Sequence, residues 1–209
     1  HLIKRFDLAK NWRSYQLNLI KKYINNKILE IGPGGGEIIE NFVNDKNQIT
    51  LIDNDSELCG VLNEKFKNNK NVTIVNSNIK FTNEKYDTIL YMDVIEHIEK
   101  DIDELDLACD RLTNDGKLVI VVPAFNFLFS SYDKDVGHYR RYEKKDFKNY
   151  VKNKNINILS LKYFDSLGFF ILILVKLFKF KGKNSTVLGI KLWNLMVPIS
   201  RLIDKLFFH

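Results

Sequence analysis

The stretch ILEIGPGGGEI, Ile28–Ile38, decides the fold. KILEI (27–31) is an apolar run of strand length, and four glycines crowd into residues 31–36. A strand that runs into glycines reads as the first crossover of a doubly wound sheet. Ligands bind such sheets at the carboxyl ends of the strands. Glycine there permits tight turning and lets the backbone come close to a ligand.

The rest of the chain repeats the theme. QITLID (48–53), NVTIV (71–75), YDTILYMD (86–93), KLVIVV (117–122) and INILSLKYF (156–164) read as five further strands. Helical spacing predicts helices over 7–24 (Leu8, Trp12, Tyr15, Leu19, Tyr23), 36–44, 56–66, 100–112 and 143–151, with Ser56 as an N-cap. Asn114-Asp115-Gly116 is a turn signal. Strands alternating with helices predict an α/β fold: a doubly wound, Rossmann-like, mostly parallel sheet with helices on both faces. Residues 165–209 break the alternation with two apolar, helical pieces. The expected division is a ligand-binding domain over 1–164 and a helical C-terminal cover over 165–209.

Composition agrees with one globular domain: 209 residues, 45% hydrophobic, 28% charged. The net charge of +6 allows an acidic partner without demanding one, because many lysines sit in solvated stretches such as KFKNNKN (65–71). Cys59 and Cys109 read as reduced thiols of a cytoplasmic protein. The chain begins at His1 rather than Met, which reads as a piece of a longer protein.

Three details name the ligand. Gly32-x-Gly34-x-Gly36 is followed by Glu37, where the dinucleotide fingerprint puts Gly or Ala. Glu30 precedes the glycines; it would repel a pyrophosphate and welcome a cation. Asp53 ends the second strand, placed to accept hydrogen bonds from two ribose hydroxyls. S-adenosylmethionine fits: it carries a ribose, an adenine, a sulfonium and an ammonium, and no phosphate.

ILEIGPGGG, LIDND, NSNI, YDTILYMDVIEHIEKD and LTNDGKLVIVVPA together resemble the class I S-adenosylmethionine-dependent methyltransferases along nearly the whole chain. NWRSY (11–15) and PAFNFLFSSYDKDVGHYRRY (123–142) resemble a bacterial subgroup often associated with glycosyltransferases and cell-surface glycan or lipid assembly. The resemblance implies that Glu30, Gly32, Gly34 and Gly36 pack against the methionine part and ribose. It implies that Asp53 binds the ribose, Asn54 lies beside the adenine, and Asn78 and Ile79 hold the adenine. Asn78 stands where the family usually has Asp. Asp93 is implied to touch both cofactor and substrate. The resemblance also implies a closing seventh strand, antiparallel to its neighbours, which is not read in these residues and is expected after residue 209.

DVIEHI places Asp93, Glu96 and His97 at i, i+3 and i+4, a partial ligand set for a divalent ion to which His138 could add. It resembles an element of metal-using relatives, the small-RNA 2′-O-methyltransferases among them. The expectation is nevertheless no metal. SSYDKDVGHYRRY (130–142) follows the fifth strand, where substrate should sit. His138 is the candidate base, since imidazoles ordinarily titrate near neutrality. Asp133, Tyr139, Arg140 and Arg141 are candidate acceptor contacts, the arginines for a phosphate or carboxylate. LGFFILILV (167–175) is too short to span a bilayer, which takes about 20 residues. VLGIKLWNLMVPISRLIDKLFF (187–208) reads as a lid or as a membrane-surface helix.

The expected function is methyl transfer to a hydroxyl of a small-molecule, sugar or lipid-linked glycan acceptor, in the cytoplasm with peripheral membrane contact and no nucleic acid partner. A metal-assisted RNA methyltransferase and a non-catalytic cofactor-binding scaffold are the alternatives. An NAD oxidoreductase is the fold-level competitor, opposed by Glu30 and Glu37.

Overall fold

The computed structural model describes residues 9–177 and 186–207. The chain divides into two compact units: Leu17–Val122, and His1–Gln16 with Pro123–His209.

The first unit is the sheet. Among the described residues it has five strands: β1 (Lys27–Ile31), β2 (Gln48–Asp53), β3 (Val72–Asn76), β4 (Tyr86–Met92) and β5 (Leu112–Val121). They run in the order β3-β2-β1-β4-β5, and every neighbouring pair is parallel. The chain builds outward from β1 to β3, then returns to place β4 on the other side of β1. The topological switch therefore lies where β1 ends in its glycines. Parallel strands bury both faces, which is why these segments read as unbroken apolar runs. Ile28, Leu29, Leu51, Ile52, Ile89 and Leu90 are fully buried.

The sheet differs from expectation in four places. The helix expected over 36–44 is a single 3-10 turn, Ile39–Phe42. The cap of the helix Ser56–Phe66 is Asp55, whose Oδ1 accepts from the N–H groups of Glu57 (2.8 Å) and Leu58 (3.3 Å). Aspartate carries the same capping chemistry as serine, one position earlier. Asn114-Asp115-Gly116 does not separate a helix from a strand. Tyr86 pairs with Leu112 and Thr88 with Lys117, so the turn residues form an irregularity inside β5. Finally, 156–164 forms no strand. Its alternation serves aromatic packing instead: Tyr163 stacks on Phe125 (centroids 4.5 Å) and Phe164 on Trp12 (5.1 Å).

Helix α1 (Lys10–Ile20) continues into a 3-10 turn, Lys21–Tyr23. Asp7 and Leu8, expected to begin it, lie outside the described residues. The helix Ser56–Phe66 is α2, and α3 is Asp101–Asp110.

The second unit is helical: α4 (Ser131–Asp135), α5 (Lys144–Val151), α6 (Ser166–Leu177) and α7 (Thr186–Phe207). Two buried aspartates organise it. Asp204 accepts from the Tyr15 hydroxyl (2.8 Å) and from the backbone N–H groups of Asp165 and Ser166. Asp165 accepts from Gly168 N–H (3.2 Å) and from Trp193 Nε1 (2.8 Å), and Ser200 Oγ accepts from Leu167 N–H (3.1 Å). The donors left over at the start of α6 are thus satisfied by side chains of α7 and by Asp165. Burial and the Asp204 carboxylate both push the Tyr15 hydroxyl's pKa up.

Pro198 sits inside α7 and cannot donate to the carbonyl of Asn194. Asn11 Nδ2 donates to that carbonyl instead (2.9 Å), while Asn194 Oδ1 accepts from Trp12 N–H (3.1 Å). No helix among the described residues is long and apolar enough to cross a membrane. Phe208, expected in the last helix, lies outside the described residues.

Candidate functional site

At the carboxyl edge of the sheet, Gly32, Gly34 and Gly36 take φ of 63°, 57° and 73°. A Cβ on Gly36 would stand 2.9 Å from Phe66 and 3.1 Å from Leu62, so this glycine lets α2 pack against the loop. A Cβ on Gly34 would meet nothing within 4 Å. Its conformation still demands glycine, and the space beside it is open to a ligand. The two positions should therefore separate on substitution. Gly36→Ala is expected to cost about 2–4 kcal/mol of stability, from left-handed strain plus overpacking. Gly34→Ala is expected to cost only about 1 kcal/mol while weakening nucleoside binding at least tenfold. Chemical denaturation and calorimetry on both variants check this.

Glu30 is buried near the carboxyl end of β1, in register with Leu51 and Leu90. Asp53 closes β2 and is half-buried. Its Oδ1 accepts from Asp55 N–H (2.9 Å). Burial raises its carboxyl pKa above the ordinary value, and the backbone N–H groups of Asp55 and Asn54 pull it back. A carboxylate has acceptor capacity beyond that bond, enough for a ribose diol. Asn54 is exposed. Asn78 Oδ1 accepts from Lys80 N–H (3.0 Å), capping the 3-10 turn Ile79–Phe81, and Ile79 is buried. The amide oxygen keeps a second lone pair for an exocyclic amine.

Asp93 follows β4 with φ of 57°, a conformation uncommon outside glycine. Its N–H donates to Val121 (2.8 Å), which extends the ladder by one residue. Strain of this kind costs about 1–3 kcal/mol and gathers at active sites. Glu96 is buried and His97 exposed, on the 3-10 turn Ile95–His97.

In the helical unit, the 130–142 loop is built on Asp133, which is fully buried. Its Oδ1 accepts from Arg141 Nε (2.7 Å) and faces His138 Nδ1 at 3.0 Å. Its Oδ2 accepts from Arg141 Nη2 (3.1 Å) and from both the N–H and Oγ of Ser130 (2.9 Å each). Burial alone would raise this carboxyl's pKa; bonds from His138 and Arg141 outweigh it and hold it well below the usual carboxylate range. Asp133, His138 and Arg141 are thus brought together. Tyr139 is exposed, with the Arg140 guanidinium 5.9 Å from its ring. Ser130 was not legible as part of this cluster, although a serine three residues before an acid is a capping-box signal.

A profile of the methyltransferase domain family matches residues 5–161. The chain belongs to that family. Its fold is that of S-adenosylmethionine-dependent methyltransferases of known structure. One from Clostridium acetobutylicum is 15% identical, with a TM-score of 0.57, covering 73% of this chain and 82% of its own. A methyltransferase structure from Bacillus halodurans is 17% identical, with a TM-score of 0.60, covering 85% and 86%. Coclaurine N-methyltransferase, solved with N-methylheliamine and S-adenosylhomocysteine, is 14% identical, with a TM-score of 0.61, covering 92% and 67%. No curated protein sequence matches the chain. The residues present fit S-adenosylmethionine: the space beside Gly34 is open, Glu30 is a buried acid on the strand before the loop and Asp53 ends the next strand, while the lysine bonded to the loop, Lys65, donates to the Gly35 carbonyl (2.8 Å) and pairs with Glu40.

Proposed function

We propose that this methyltransferase uses S-adenosylmethionine to methylate a hydroxyl of a small-molecule, sugar or lipid-linked glycan acceptor, with peripheral membrane contact through its C-terminal helices. The observation that carries the reading is the Gly34 cradle at the topological switch, with Asp53 at the end of the next strand. S-adenosylmethionine supplies a methyl group on a sulfonium, open to in-line displacement. Glu30 and the glycine loop receive the methionine part and ribose, Asp53 accepts from the ribose hydroxyls, and Asn54, Asn78 and Ile79 border the adenine. Asp93 reaches cofactor and acceptor.

His138 takes the acceptor proton. Its Nδ1–H donates to the Asp133 carboxylate, which fixes the orientation of the ring. Tyr139 and Arg140 contact the acceptor. Asp133 and Arg141, bonded to each other, hold the loop that presents these groups. Metal ligands are not required by this route; chelator treatment should leave activity unchanged.

Calorimetric titration with S-adenosylhomocysteine, run beside NADH, tests the reading. Binding of the former alone supports it, and binding of NADH alone overturns it. Asp53→Ala should weaken S-adenosylhomocysteine by about 1–3 kcal/mol, roughly 5–150-fold, because ribose donors lose their acceptor. Unchanged affinity would remove Asp53 from the site.

A further inference from the structure

The two C-terminal helices leave large apolar side chains exposed in an ordered pattern. On α7, Leu192, Leu195, Ile199, Leu202 and Leu206 are 55–70% exposed. Their spacing of 3, 4, 3 and 4 puts them on one face. The stripe is about 21 Å long at about 1.5 Å per residue. The opposite face, with Val197, Ser200 and Asp204, is buried. On α6, Phe170, Leu174 and Leu177 form a second exposed stripe at spacing 4 and 3. Scattered exposed leucines are ordinary; an aligned set over four turns is not.

Charge identifies the occupant. The exposed charges on the described parts of these helices are Lys176, Lys191, Arg201 and Lys205, all basic. The one acid in α7, Asp204, is buried and bonded to Tyr15, Asp165 and Ser166. On a helical wheel Lys191, Lys205 and Arg201 lie to one side of the leucine stripe. We propose that α7 docks, lying flat, on an anionic phospholipid surface, its leucines in the acyl boundary and its basic side chains at the headgroups. The same stripe could form the seam of a two-stranded coil with a second copy. The positions flanking such a seam are Lys191, Met196, Pro198, Ile203 and Lys205, which offer no acid to pair the lysines. Pro198 lacks a helical N–H donor and favours a kink, which a bilayer surface tolerates and a continuous seam does not.

This deepens the peripheral contact proposed above. Vesicle binding needs no cofactor, so its failure leaves the methyl-transfer reading standing. The test is co-sedimentation of the full chain with vesicles of phosphatidylcholine, alone or mixed with phosphatidylglycerol. Binding to the mixed vesicles should be about tenfold stronger and weaken with salt. Leu195→Glu with Ile199→Glu should reduce it at least tenfold with an unchanged thermal melt. Lys191→Ser with Lys205→Ser should reduce the preference for the anionic lipid. Equal sedimentation of the glutamate variant overturns the proposal. So does a dimer in light scattering that the glutamate variant dissolves, with no vesicle binding by the parent.

Discussion

Asp133→Asn should lower the free energy of unfolding by about 3–5 kcal/mol, the range for breaking a buried ion pair from one side. The side chain it removes is fully buried and accepts five hydrogen bonds, two of them from Arg141. Asparagine keeps the shape but supplies one oxygen, and its amide N–H₂ would face the guanidinium. Arg141, itself buried, would be left charged without its counter-ion. The pH dependence follows from the direction of the shift. The folded carboxyl is held below its unfolded value near 4, so its contribution is present above that value and fades as pH falls through the folded value. The parent should lose stability on acidification below about pH 4 more steeply than the variant. Urea melts from pH 7 downward measure both effects. A variant within 1 kcal/mol of the parent, with the same acid limb, would mean that the pair does not hold the loop.

The second large effect is catalytic. His138→Ala should lower methyl transfer by roughly 10²–10⁴-fold, the usual worth of a positioned general base. Affinity for S-adenosylhomocysteine should stay within twofold. The assay is transfer of labelled methyl to the acceptor that responds in a screen of phosphorylated and lipid-linked sugars. His138→Ala at full activity would make the residue scaffold. Asp133→Asn should also slow transfer, by less, because it disturbs the ring's orientation and leaves the ring in place. A loss in Asp133→Asn with no loss in His138→Ala would separate loop stability from proton transfer.

Much of the sheet was legible in the chain. Parallel strands covered on both faces must be apolar throughout, and helices between them must carry a 3.6-residue period, so β1 to β5 and most of their crossovers stand out. The glycine loop was legible for the same kind of reason, since a backbone that turns left-handed after a strand needs glycine. The errors fell where a local signal had more than one tertiary use. Asn114-Asp115-Gly116 can end a strand or bulge within one. The alternation over 156–164 can make a strand or present Tyr163 and Phe164 to aromatic partners. Asp55 and Ser56 can each cap a helix.

The sequence by itself determined the parallel sheet, the switch point after β1 and the glycine loop that follows it, because each follows from local periodicity and backbone sterics. Only the tertiary structure decided what the polar residues do. Asp133 and Arg141 read alike as acceptor contacts until burial paired them, and Gly34 and Gly36 looked equivalent until α2 filled the space beside one of them. Asp204 was one charge among many before it met Tyr15 and the start of α6. A side chain's partner depends on residues far away in the chain, and no local pattern encodes that distance.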